Sequence, residues 1–90
     1  MTKPIDRVAV VSSKFREDLW YSIETDRKTA VRVLDLMAAI LADPFGGIGK
    51  PEALRFDPAG CWSRRITQEH RLVYRVTAER VEFHQARYHY

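Results

Sequence analysis

The chain has few of the features that commit a protein to a membrane or to secretion. It carries one cysteine, Cys61, so no internal disulfide can form and a thiolate-based metal site is not expected. No apolar run approaches the ~18 residues of a membrane span. The opening Met1-Thr2-Lys3-Pro4-Ile5-Asp6-Arg7 has no hydrophobic signal-peptide core, and the expectation is a cytoplasmic protein without a membrane role. Three of the four glycines fall in Gly46-Gly47-Ile48-Gly49, just before Lys50. A nucleotide-binding loop needs another spacing and a Ser or Thr after the lysine, and Pro51 stands there.

What is present fits one small domain. Ninety residues with 46% hydrophobic content can close a single modest core but cannot add a cofactor-binding domain. The charge is unevenly spread. Acidic and basic residues balance over 1–49, so the net charge of +3 resides in 50–90, together with His70, His84 and His89. A basic half beside a neutral half points to a face that meets a polyanion, although +3 is also an ordinary solubility charge.

The pattern along the chain alternates two periodicities. Residues 1–7 read as a loose leader, and Val8-Ala9-Val10-Val11 as a short buried strand. Ser12 or Ser13 can cap a first helix with a core face of Phe15, Leu19 and Ile23 and with Trp20 beside them. Thr25-Asp26 reads as a break and a second cap. Ala30, Val33, Leu34, Met37, Ile40 and Leu41 then describe an amphipathic helix with Arg32 and Asp35 on its other face, which Asp43-Pro44 ends. The two helices are expected to form an antiparallel hairpin.

Beyond Glu52 the pattern becomes that of strands. Ala53–Phe56, Cys61–Ile66, His70–Val76 and Val81–Tyr90 are separated by turn signals, the strongest being Asp57-Pro58-Ala59-Gly60. The expected fold is α+β, in the order β-α-α-β-β-β-β: a curved, mainly antiparallel sheet with an N-terminal helical hairpin packed on one face. Alternation groups Leu72, Tyr74 and Val76 against Arg71, Val73 and Arg75, and Trp62, Arg64 and Ile66 against Ser63 and Arg65. The face away from the helices is expected to carry guanidinium groups, with Arg64 and Arg65 on a wet surface. Cys61 reads as a small apolar residue at a strand start, and His70 and His84 as non-catalytic.

The residues with chemistry are Glu52, Arg55, Arg65, Arg71 and the run Arg87-Tyr88-His89-Tyr90. RNA can be cut by its own 2′-hydroxyl if a base removes that proton, an acid protonates the departing 5′-oxygen, and fixed positive charge stabilises the phosphorane-like transition state. Glu or His can be the base, His can be the acid near neutral pH, arginine matches phosphate oxygens, and aromatic rings stack on unpaired bases. Residue types alone stop at a small basic α+β domain with an affinity for RNA.

Three segments carry a resemblance that goes further: Pro44-Phe45-Gly46-Gly47-Ile48-Gly49-Lys50-Pro51-Glu52-Ala53-Leu54, Gly60-Cys61-Trp62-Ser63-Arg64-Arg65-Ile66-Thr67-Gln68-Glu69-His70-Arg71-Leu72-Val73-Tyr74 and Arg87-Tyr88-His89-Tyr90. Together they resemble the YoeB (Txe) toxins of the RelE-like group of bacterial toxin-antitoxin systems, over about residues 9 to 90. The resemblance implies a toxin that enters the ribosomal A site and cuts the mRNA being translated, restrained by a cognate YefM/Phd-like antitoxin, with no cofactor and no metal. Homodimerisation is a further family expectation. By motif, the general base falls on Glu52, the transition-state arginine on Arg71 and the general acid on His89, with Tyr90 orienting or stacking on the substrate. Lys50, Arg55 and Arg65 are expected to contact RNA. Arg55 stands where the family often has lysine, and Cys61 where a relative can have an aromatic. Two rival readings stay open: a RelE-like protein that occupies RNA or the ribosome without cutting, and a co-repressor that acts with its antitoxin. A base crowded by arginines is poorly tuned until phosphate binds, so competence is expected on the ribosome, where the mRNA backbone is also positioned for in-line attack.

Overall fold

A computed structural model describes residues 6–88. The elements in chain order are β1 (Val8–Val11), α1 (Ser13–Thr25), α2 (Arg27–Ala42), β2 (Glu52–Ala53), β3 (Trp62–Arg65), β4 (Arg71–Val76) and β5 (Arg80–Gln85). Both helices start on a side-chain cap. The Ser12 hydroxyl accepts the Phe15 amide at 3.1 Å, and the Asp26 carboxylate accepts the Thr29 amide and hydroxyl, each satisfying a donor that the first helical turn leaves open. Those bonds, the Thr29 hydroxyl foremost, hold the Asp26 carboxyl below its ordinary pKa. α2 stops at Asp43, ahead of Pro44.

The five strands form one sheet in the order β1-β5-β4-β3-β2. β1 runs parallel to β5, and the other neighbours are antiparallel. A parallel pair needs a crossover connection, and the helical hairpin supplies it. Phe15 of α1 and Val33, Leu36 and Ile40 of α2 pack on Ile66, Leu72, Tyr74, Val81 and Phe83. The strand residues in that cluster share one face by alternation, so both helices cover the same side of the sheet. Each fully buried aliphatic or aromatic side chain there stabilises the fold by roughly 1.5–3 kcal/mol.

Several expectations change in detail. The apolar run at Val8–Val11 is a strand, but an exposed one: among the described residues it lies at the sheet edge with β5 as its single neighbour, and Val8 is 65% exposed. Arg7, expected in a loose leader, donates Nε to the Thr77 carbonyl at 2.8 Å. In α1 the face toward the core is Phe15, Asp18 and Ser22 with Leu19 partly buried, whereas Ile23 and Trp20 face outward. Asp18 can occupy that face because Lys14 and the Ala86 amide both bond its carboxylate. In α2, Leu36 takes the central position and Leu34 is exposed.

The strands are shorter than their sequence patterns. β2 covers only Glu52 and Ala53; one further backbone bond runs from the Leu54 amide to the Cys61 carbonyl at 2.9 Å before Phe56 turns the chain with a left-handed φ of 62°. β5 ends at Gln85, so the expected strand to Tyr90 stops early, and its last two residues lie outside the described ones. The Asp57–Gly60 turn forms as expected, with the Gly60 amide donating to the Asp57 carbonyl at 3.1 Å.

Candidate functional site

The open face of the sheet brings Glu52 and Arg71 together across a separation of 19 residues. Register does this. Glu52 lies opposite Ser63, Ser63 opposite Val73, and Arg65 opposite Arg71, and directly opposed residues of antiparallel strands point to the same side. Arg71 Nη2 donates to Glu52 Oε1 at 2.6 Å, and Arg71 Nε to the Ser63 hydroxyl at 3.1 Å. The Arg71 side chain is 15% exposed and that of Glu52 62%. The arginine is thus held in place while the carboxylate meets solvent.

A cleft of about 320 Å³ opens at this pair, lined by Glu52, Ala53, Leu54, Arg55, Ser63 and Arg71. Arg55 therefore belongs to the same site. Arg65 shares the face through its register with Arg71 but does not line the cleft. Lys50 is exposed and also stands outside it, with a left-handed φ of 52°. His89 and Tyr90 lie outside the described residues. Tyr88, just before them, is placed: its carbonyl accepts the Arg71 amide at 3.0 Å and its amide donates to His70 Nδ1 at 2.9 Å. Beside Arg55, Phe56 is 99% exposed.

The position of Glu52 depends on a residue that sequence reading put on a wet surface. Arg64 is fully buried, on the helix-facing side of β3 with Trp62 and Ile66. Its Nη2 donates to the carbonyls of Asp43 and Gly46 at 2.6 and 2.8 Å, its Nη1 to that of Ile48 at 3.0 Å, and its Nε to the Tyr74 hydroxyl at 3.2 Å. The Tyr74 hydroxyl donates in turn to the Pro44 carbonyl at 2.7 Å. A guanidinium with five donors suits a loop of inward-facing carbonyls, so the glycine-rich segment is wound around this cation. Gly49 has φ +86° and packs so closely that a Cβ would lie 2.8 Å from Leu36 Cδ2 and 3.1 Å from Arg64 Cβ. The alternation of β3 did put Arg64 with Trp62 and Ile66. That is the signal that could have exposed its burial, and charge weighed against it.

A second polar cluster surrounds Cys61. Its sulfur lies 3.6 Å from His84 Nδ1, and His84 Nε2 lies 3.3 Å from Glu82 Oε1. His84 is the extra residue where β5 bulges against Val73 and Tyr74. Burial, reinforced by the Asp57 carboxylate, pushes the Cys61 thiol up to about 11, so it is a protonated thiol at neutral pH rather than a nucleophile. Glu82, held by His84 and then by Arg75, has its carboxyl lowered. Among the described residues no cluster of His, Cys, Asp and Glu is arranged to hold a metal ion, and no helix is long and apolar enough to cross a membrane.

The YoeB-like toxin of bacterial type II toxin-antitoxin systems, taken as a family model, matches residues 11–90. The Toxin YoeB of Mycobacterium bovis is 53% identical over 74 residues, covering 82% of this chain and 87% of that protein. Among solved structures, the YoeB dimer from Staphylococcus aureus superposes with a TM-score of 0.86 at 35% identity, covering 94% of this chain and 99% of that one. The YoeB-YefM complex from Staphylococcus aureus gives 0.81 at 34% identity, over 93% and 98% of the two chains. With its helical hairpin on a five-stranded mixed sheet and a family match spanning nearly its whole length, this chain belongs to the YoeB toxins of bacterial type II toxin-antitoxin systems.

Proposed function

We propose that this toxin is a ribosome-dependent mRNA endoribonuclease, acting in the A site by metal-independent attack of the RNA 2′-hydroxyl and so inhibiting translation. The observation that carries this reading is the Arg71–Glu52 contact at 2.6 Å in an open cleft also lined by Arg55 and Ser63. A scissile phosphate is a better bidentate partner for a guanidinium than one carboxylate oxygen. As phosphate engages Arg71, Glu52 is released beside the substrate to serve as base.

The step then balances with groups of this chain. Glu52 takes the 2′-hydroxyl proton, the 2′-oxygen bonds to phosphorus, and the bond from phosphorus to the 5′-oxygen breaks. His89 gives its proton to that leaving oxygen, leaving a 2′,3′-cyclic phosphate and a 5′-hydroxyl. Arg71 carries the charge of the transition state, and Lys50, Arg55 and Arg65 supply further phosphate contacts around the cleft. Tyr90 orients the substrate or stacks on it, and exposed Phe56 offers another ring to an unpaired base. In keeping with the Staphylococcus aureus relatives, which form a YoeB dimer and a YoeB-YefM complex, a YefM-like antitoxin and a second copy of this chain are its expected protein partners.

The test is to map mRNA 5′ ends after brief induction of the toxin, with His89→Gln and Glu52→Gln in parallel. Cuts tied to the reading frame, and lost in both variants, are expected. Growth inhibition that survives both substitutions would favour a protein that binds without cutting, and equal cleavage of free and ribosome-bound RNA would remove the ribosome from the mechanism.

A further inference from the structure

Resting on the function proposed above, we propose that His70 and Arg87 are positioning residues that fix Tyr88 against the Arg71 backbone, and with it the point from which the chain continues to the proposed acid His89. β5 ends at Gln85, and beyond it the ladder no longer holds the chain. Each of the next three residues has its own anchor instead. The Ala86 amide donates at 3.0 Å to the buried carboxylate of Asp18. The guanidinium carbon of Arg87 lies 3.6 Å from the Tyr21 ring centre and 5.1 Å from that of Tyr88, within the range of cation–π attraction. Tyr88 turns the chain with a left-handed φ of 56°, a conformation that a bulky side chain keeps only when its surroundings enforce it.

The enforcement comes from two adjacent residues of β4 and the turn before it. His70 accepts the Tyr88 amide on Nδ1 at 2.9 Å and meets the Tyr88 ring edge-on, with centroids 4.9 Å apart. Arg71 donates its own amide to the Tyr88 carbonyl at 3.0 Å. The peptide plane from which His89 departs is therefore bonded to the backbone of the residue whose side chain holds Glu52. A backbone amide can only donate, so Nδ1 carries the lone pair in this contact. His70 replaces a strand-ladder acceptor where the strand has ended. The proposed acid follows one residue beyond this lock, and a misplacement of a catalytic group by ~1 Å can lower a rate by about 100-fold.

The measurement is steady-state cleavage of mRNA on programmed ribosomes, with thermal melting as a control for folding. His70→Phe keeps the ring beside Tyr88 and removes the acceptor, so kcat should fall by roughly 10- to 100-fold with KM within about twofold. His70→Asn restores an acceptor oxygen close to the place of Nδ1 and should recover most of that loss, a rescue that mere packing does not predict. Tyr21→Leu, at a half-exposed site, removes the ring under Arg87 and should lower kcat with KM unchanged even if His70→Phe does not fold. His89→Gln separates the two readings. If it cleaves like wild type, the proposed function fails; if it is inactive while His70→Phe and Tyr21→Leu keep wild-type kcat, the lock is overturned. A rise in KM that Asn does not rescue would also overturn it, by placing His70 on the substrate.

Discussion

Arg64 and Tyr74 sit on neighbouring strands, both fully buried, with Arg64 Nε donating to the Tyr74 hydroxyl at 3.2 Å. Between them they bind four carbonyls of the loop that leads from α2 to Glu52: those of Asp43, Pro44, Gly46 and Ile48. The charge in the core thus replaces a hydrophobic contact with a scaffold for an otherwise irregular segment. One end of the cleft at Glu52 and Arg71 hangs from it.

Removing either partner should therefore loosen the loop as well as the fold. Arg64→Leu strands three loop carbonyls and the buried Tyr74 hydroxyl and is expected to destabilise by about 3 kcal/mol or more, and Tyr74→Phe by about 1–3 kcal/mol, because polar groups left unpaired away from water keep their desolvation penalty. Urea titration measures both. Amide exchange should show the loss of protection concentrated in residues 43–50 for Tyr74→Phe. Uniform loss across the sheet would mean that the pair serves the core rather than the loop.

Arg71→Lys separates charge from geometry. The lysine keeps one positive charge but cannot donate at once along the lines to Ser63 and Glu52 that Arg71 uses. Cleavage on ribosomes should fall by roughly 100-fold, with the melting temperature near that of wild type. Near-wild-type cleavage would show that positive charge alone suffices at this position.

Cys61 gives a prediction about pH. Because burial raises its thiol to about 11, roughly one thiol in a thousand is ionised at pH 8. An acidic group with a raised pKa stays protonated until the pH approaches that value, so alkylation by iodoacetamide should be slow at pH 8 and accelerate continuously toward pH 10. Unfolding in urea should bring the rate to that of a free cysteine. Rapid labelling of the folded protein at pH 8 would contradict the burial and rule out the reading of Cys61 as an inert packing residue.

The legible part of the fold is the part set by local rules. Ser12 and Asp26 cap the helices where their side chains predict, and Asp43-Pro44 closes the second helix. Asp57–Gly60 turns as its composition requires, and period-two alternation sorts the strand residues into their observed groups. Phe15, Val33 and Ile40 are found in the core, but Ile23 is not, because Asp18 and Ser22 take its side of α1. The resemblance in the three long motifs named the family from sequence, and they carry Glu52 and Arg71 to the same cleft.

The sequence by itself determined the order of elements, the caps and breaks between them, and the residues able to handle phosphate and protons. Tertiary structure alone decided that β1 is an exposed edge strand parallel to β5, that Arg64 is buried beneath a loop, and that Glu52 meets Arg71. The reason lies in range. Capping, turns and alternation are settled within a few residues, whereas burial depends on what packs against a face, and the Glu52–Arg71 contact depends on the register of three strands. For Arg64 the outcome turned on its guanidinium meeting three carbonyls of a distant segment and the Tyr74 hydroxyl, which made a charge stable where its local sequence pointed to water.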